Sequence, residues 1–259
     1  ARNAVFAAQM ARISRVRPAE SVIEGESGFY AVFAGNHRGD LSYSFTGSRH
    51  CDPASVTSGL GERWLLLDAM FRMYPMAGYN QPVVDLVAEM LAGNGINHAD
   101  IERLEVRMNW IETLYPSPAF PRASDWNRPR AGSTHQYAAY AAVNGHYPAV
   151  GEAVARLDPQ SAEGAAVWKF MCDKVRLVQE LDRPMFSPAI DMTLVDGRRL
   201  SAEYPYARMA WDLAELERNL QRCVPGFPGG RAGLDRLVEQ VSGLDGHGST
   251  EPLHAATRL

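Results

Sequence analysis

The stretch 189-AIDMTLVDGRRLSAEY-204 decides what kind of fold this chain has. Ile190, Met192 and Leu194 alternate with neighbours of the other polarity, and so do Leu200, Ala202 and Tyr204. That is the two-residue period of strands with one face on a core. Asp196-Gly197 between the two runs predicts a type I′ hairpin turn, because this dipeptide tolerates positive φ at both central positions. A second period-two run lies upstream, with Leu104, Val106, Met108 and Trp110 on one side and Glu105, Arg107 and Asn109 on the other.

The remaining periodic segments read as helices. A helix is expected at Glu62–Met73, with Trp64, Leu67 and Phe71 inward, broken by Pro75 and Gly78. Another starts near Pro82, carries Val83, Val84, Leu86, Val87, Met90 and Leu91 on its buried stripe, and ends at 93-GNG-95. In 134-THQYAAYAAVNG-145, Tyr137, Tyr140 and Val143 are in register and Gly145 is the stop. Further helices are expected over 148–156, 160–174 and 208–224, the last with Met209, Leu213, Leu216, Leu220 and Val224 inward. Residues 14–61 read as turns and loops around Gly25, Gly28, Gly35 and Gly39, and 115–133 as a long Pro-rich loop. The polar, Gly-rich tail reads as partly disordered. No internal repeat is found. Few strands set between helices make the class α+β.

Composition narrows the function. The chain has 259 residues, 46% of them hydrophobic, which is enough for a sizeable core. A net charge of −4 and a pI near 6.0 give no electrostatic case for nucleic acid or an anionic membrane. No apolar run approaches the ~18 residues of a membrane span. Cys51, Cys172 and Cys223 are far apart and odd in number, without CxxC or Cys/His spacing, so neither a disulfide framework nor a metal site is expected and a cytoplasmic setting is. GxGxxG, Walker, HExxH and GxSxG patterns are absent. Of seven scattered histidines, His135 is the best candidate, since it follows the long loop and opens a helix near a tyrosine.

The polar connector 71-FRMYPMAGYNQP-82 sits at a helix N-terminus and reads as the rim of a site. It also belongs to a wider pattern. The segments 1-ARNAVFAAQMAR-12, 59-GLGERWLLLDAMFRMYPMAGYNQPVVD-85, 133-STHQYAAYAAVNG-145 and 192-MTLVDGRRLSAEYPYARMAWD-212 resemble, in order and spacing, the C-terminal half of the MmgE/PrpD family. That family includes 2-methylcitrate dehydratase and cis-aconitate decarboxylase. The resemblance implies an α+β lid domain of a few antiparallel strands packed with helices, plus flanking helices that belong to an all-helical domain. It divides the chain into 1–60 (end of the helical domain and connecting loops), 61–206 (lid) and 207–259 (return helix and tail). The first helix opens without a cap, so the expected partner is a complementary helical-domain polypeptide or a second copy.

The resemblance also implies a lyase-type reaction without cofactor or metal, on a small di- or tricarboxylate, by abstraction of a C–H proton. The alternative is a non-catalytic lid or scaffold subunit for a separate catalytic chain. Arg72 stands where the family has Lys, and Tyr79 and Gln81 where it often has His. Arginine does not deprotonate in proteins, so Arg72 is expected to clamp a carboxylate rather than carry a proton. Tyr137 matches the family's active-site tyrosine. The expected catalytic residues are therefore Tyr137, Arg72 and His135, and the expected substrate contacts Tyr79, Asn80 and Gln81.

Overall fold

The computed structural model describes residues 2–13, 22, 25–34, 58–114, 126–149, 160–246 and 248–257. It divides into two units, Ala1–Trp64 and Leu65–Leu259. The first holds α1 (Arg2–Ile13) and α2 (Phe29–Ala34), the latter entered through a turn at Gly25–Gly28. No residue of α1 is buried, and Val5, Phe6, Met10 and Ile13 all face outward. Gly35 and Gly39, also expected in turns, lie outside the described residues.

The second unit is built on a four-stranded sheet of β1 (Ile101–Asn109), β2 (Val175–Glu180), β3 (Ala189–Leu194) and β4 (Arg199–Glu203), in the order β2-β1-β3-β4. With the helices around it, the sheet makes the fold α+β. The period-two residues lie where their alternation predicts: Leu104, Val106, Met108, Ile190, Met192 and Leu194 are all buried. They pack under α3 (Gln81–Asn94), α5 (Thr134–Asn144) and α6 (Ala162–Lys174). The opposite face is charged. Arg107 reaches Asp191 at 2.7 Å on one neighbouring strand and Glu180 at 3.1 Å on the other.

The sheet is mixed rather than antiparallel throughout. β2 runs parallel to β1, while β3 pairs antiparallel with both β1 and β4. The sequence reading has no strand at Val175–Glu180, because only Val175 and Leu177 carry a buried apolar side chain and no turn separates the strand from α6. β1 also ends one residue early. Asn109 Oδ1 accepts the Ile111 N–H at 2.9 Å and turns the chain, so Trp110 opens the short helix α4 (Trp110–Leu114) instead of extending the strand. The hairpin is not type I′. The Gly197 N–H donates to the Leu194 carbonyl at 2.9 Å, and Gly197 alone in the turn has positive φ, at 87°. This is a type I turn closed by a left-handed glycine, the three-residue form of hairpin loop.

α3 and α5 match their sequence signals, each stopped by a glycine in the left-handed region, Gly95 and Gly145. The helix expected at Glu62–Met73 does not form; only Leu65–Asp68 makes a single 3₁₀ turn, and Trp64 and Leu67 are exposed. The reason lies ten residues on. Gln81 is fully buried, accepts the Met73 N–H at 2.7 Å and donates to the Phe71 carbonyl at 3.3 Å, holding 71–73 off a helical path. The helix expected over 148–156 falls mostly outside the described residues, and Tyr147–Ala149 are not helical. The Pro-rich loop is described only from Trp126, as turns.

The long helix expected over 208–224 is three pieces: a 3₁₀ turn Tyr206–Met209, α7 (Leu213–Leu220), and a 3₁₀ turn Gln221–Gly226. Asp212 caps α7 by accepting the Glu215 N–H at 2.7 Å, which forces a fresh start and leaves Leu213 exposed. The tail contains two more helices, α8 (Gly230–Ser242) and α9 (Glu251–Thr257). A glycine allows the first: a Cβ on Gly233 would stand 2.2 Å from the Pro228 carbonyl oxygen, so the chain closes there only without a side chain.

Gln81→Leu keeps the volume of the side chain but leaves the Met73 N–H buried without an acceptor. The expected loss is about 1–3 kcal/mol, read from urea unfolding. A loss below about 0.5 kcal/mol, the scatter of surface substitutions, would mean that this clamp does not hold the segment.

Candidate functional site

Of the residues expected to bind substrate, three are turned inward. Tyr79, Asn80 and Gln81 are buried at the start of α3. Asn80 Oδ1 accepts the Thr134 hydroxyl at 2.7 Å, tying the start of α3 to the start of α5. Gln81 is committed to the 71–73 backbone. They form an internal seam rather than a rim. Arg72 is exposed, and among the described residues it makes no ion pair.

His135 is completely buried. Its Nε2 meets Asn127 Oδ1 at 3.0 Å and its Nδ1 lies 3.4 Å from the Ser133 hydroxyl. Asn127 Oδ1 also accepts the Leu177 N–H at 2.8 Å, so the imidazole helps dock the 126–133 turn on β2. Burial, with Arg176 and Arg130 nearby, pushes its pKa down to about 4 against the Asn127 hydrogen bond. A neutral ring enclosed in this way is a structural part. Tyr137 is half-buried in a cluster of phenol rings, edge-on to Tyr147 at 5.6 Å, while Tyr140 and Tyr74 lie 4.9 and 5.8 Å from Tyr147. Burial raises the Tyr137 pKa.

A different set of side chains converges on a cleft of about 270 Å³, lined by Met73, Asp85, Glu89, Tyr204, Arg208, Trp211, Glu215, Arg218, Asn219 and Arg222. Asp85 and Glu89 come from α3, one turn apart, and Arg218 from α7, with Arg222 in the 3₁₀ turn after it. The connector 71–82 supplies one wall, through Met73 and through Phe71, whose ring stacks on Trp211 at 5.8 Å. Behind the wall the Tyr74 hydroxyl donates to Asp85 Oδ1 in a short hydrogen bond and accepts from Arg222 Nη2 at 2.9 Å. Burial raises the pKa of Asp85 despite Tyr74 and Arg222, and burial together with the Asp85 charge raises that of Tyr74. Arg208 lies over the Tyr204 ring at 4.2 Å and grips Glu89 through both of its terminal nitrogens. Arg218 is exposed at the cleft, with Glu215 3.9 Å away.

The chain matches no protein-family model, and no curated protein matches it. The cleft therefore rests on its own chemistry: guanidinium groups facing a half-buried carboxylate whose proton affinity is raised and whose orientation a tyrosine fixes. Such an arrangement can hold an anion and move a proton beside it. Among the described residues no group of His, Cys, Asp and Glu is placed to hold a metal ion, and no helix is long and apolar enough to cross a membrane. Sequence reasoning passed over Tyr74, Asp85 and Arg222. Tyr74 and Arg222 are 148 positions apart, and neither lies in a spacing that announces a pair. Asp85 and Glu89 lie on the face of α3 away from its apolar stripe, where acids are ordinary and mark no site.

His135 gives a pH dependence with a definite sign. Its pKa falls on folding from near 6.5 to about 4, so between those values the unfolded chain binds more protons than the folded one. Its contribution to stability is complete above pH 6.5 and is lost as pH falls through 4, by about 3 kcal/mol in all. Urea unfolding from pH 7 to pH 4, compared between the parent and His135→Gln, measures it; equal pH slopes would contradict the buried neutral ring.

Proposed function

We propose that this chain is the carboxylate-binding subunit of a lyase-type enzyme, acting on a small di- or tricarboxylate by removal of a C–H proton, with the cleft of Asp85, Arg218 and Arg222 as its working site. The observation that carries this reading is the convergence of arginines on a half-buried carboxylate with raised proton affinity. Arg208 grips Glu89, while Arg218 and Arg222, the latter bonded to Tyr74, line the cleft on its other side and would meet a substrate carboxylate there. The acid is held by two-point hydrogen bonds, the geometry in which arginine outperforms lysine. Asp85 then takes the proton from the carbon next to that carboxylate. The C–H electron pair moves into the carboxylate, and the guanidinium charge stabilises the dianion that results. Tyr74, bonded to both Asp85 and Arg222, fixes the base against the cation.

The resemblance to the MmgE/PrpD family supports the substrate class, and it brings a complementary helical chain into the proposal as partner. The competing reading, a lid or scaffold without chemistry, is favoured by a specific observation. Tyr79, Asn80 and Gln81 are spent on packing, while α1 presents Val5, Phe6, Met10 and Ile13 outward.

Calorimetric titration with citrate and with succinate separates the two. Arg218→Ala and Arg222→Ala are each expected to weaken binding by roughly ten- to a hundredfold, the loss of one charge-assisted hydrogen-bonded contact. Arg72→Ala is expected to leave binding unchanged. Thermal melts guard against unfolding. No binding of either acid at millimolar concentration, or equal affinity in folded Arg218→Ala and Arg222→Ala, would remove the cleft from the reaction and leave the scaffold.

A further inference from the structure

The segment 181-LDRPMFSP-188 joins β2 to β3, but β1 lies between those strands, so the segment must cross over the end of β1. It is tied down there at several points. Asn109, the last residue of β1, donates its side-chain amide to the Arg183 carbonyl at 2.7 Å. Arg183 donates to the Ser187 carbonyl at 2.9 Å and pairs with Glu180 and Glu203. Beneath the crossing sits α4, and Glu112 Oε1 accepts the Phe186 N–H at 2.7 Å.

Two features of this crossing are costly. Phe186 has φ of 57°, and among the described residues no other non-glycine has positive φ. A side chain in that region is strained and persists only where its surroundings hold it. Glu112 is 1% exposed, and its second oxygen, Oε2, has no hydrogen-bond partner. A buried carboxylate is tolerated when neutral or fully paired, and this one, when ionised, is neither. The Phe186 ring meanwhile lies against Gly78, whose Cβ would stand 3.5 Å from it, and 6.5 Å from the Tyr206 ring. The crossing thus touches the segment that leads into α3 and the one that leads to Arg208.

We propose that residues 181–188 form a strap which Glu112 latches when protonated and which loosens when Glu112 ionises. Protonated, the carboxyl still accepts from Phe186 and carries no charge to solvate. Ionised, it can reach water only if the strap lifts, and lifting also releases the Phe186 backbone from its strain. The charged group facing Glu112 is Arg183 on the strap itself. One ion pair further out are Glu180 on β2, Arg107 on β1 and Glu203 on β4, and these keep Arg183 largely occupied. Burial raises the Glu112 pKa to about 7, against the pull of the Phe186 and Asn109 N–H groups and of Arg183. The switch would therefore operate near neutrality.

Amide hydrogen exchange on the intact chain, followed by mass spectrometry from pH 5.5 to 8.5 and corrected for the base-catalysed intrinsic rate, tests this. Protection of 181–188 is expected to fall by roughly tenfold or more as pH rises through 7, while β1 amides stay protected. Glu112→Gln, which cannot ionise, is expected to hold the strap at constant protection over the range. A parent whose strap protection does not change with pH overturns the proposal, as does a Glu112→Gln variant that keeps the parent's pH dependence. Should that variant fail to fold, the parent decides alone: a fall in protection shared equally by β1 and the strap would be general loosening, and would overturn it as well.

Discussion

Much of the second unit follows from one constraint, the central place of β1 with a parallel neighbour on one side and an antiparallel one on the other. A parallel pair cannot be closed by a hairpin, so the chain between β1 and β2 must travel, and it carries α4, α5 and α6 on the way. Two of those helices cover the apolar face of the sheet. The return from β2 to β3 then has to pass over the end of β1, where Asn109 and Glu112 receive it. The irregular and costly features of this region gather at that crossing, because it is where the topology leaves the backbone least choice.

The second organising feature is polar. The start of α3 is buried, and its first residues use their side chains in place of the hydrogen bonds that a loop would draw from water. Gln81 serves the 71–73 backbone and Asn80 serves Thr134. Further along the same helix, Asp85 and Glu89 turn toward α7 and Arg208. One helix therefore supplies both the seam that fixes the connector and the acidic side of the cleft.

How far the sequence could be read depended on whether a residue's role was local. The alternation of Ile190, Met192 and Leu194 and the stops at Gly95 and Gly145 are set by neighbours a few positions away, and they were legible. β2 was not, since a strand with two buried apolar side chains owes its existence to its ladder with β1. Glu62–Met73 carried a helical period, but the Gln81 side chain overrides it. At the site the same rule applied. The connector 71–82 reads as a rim in the sequence, on the strength of residues that look polar in isolation, and of those Tyr79, Asn80 and Gln81 turn inward. Tyr74 takes its part only from Asp85 and Arg222, and no local pattern pairs it with them.

The sheet has two outer strands, and each would offer unpaired backbone groups to another chain. They are guarded in different ways. On β2, the Leu177 N–H is already taken by the Asn127 side chain, so a neighbouring molecule finds that donor occupied. On β4, Arg199 and Glu203 flank a strand of five residues, and Pro205 follows it, which shortens the stretch that could be extended. Asn127, which also bonds the buried His135, thus acts as a guard against edge-to-edge aggregation. A substitution there would expose a sticky margin as well as loosen a turn.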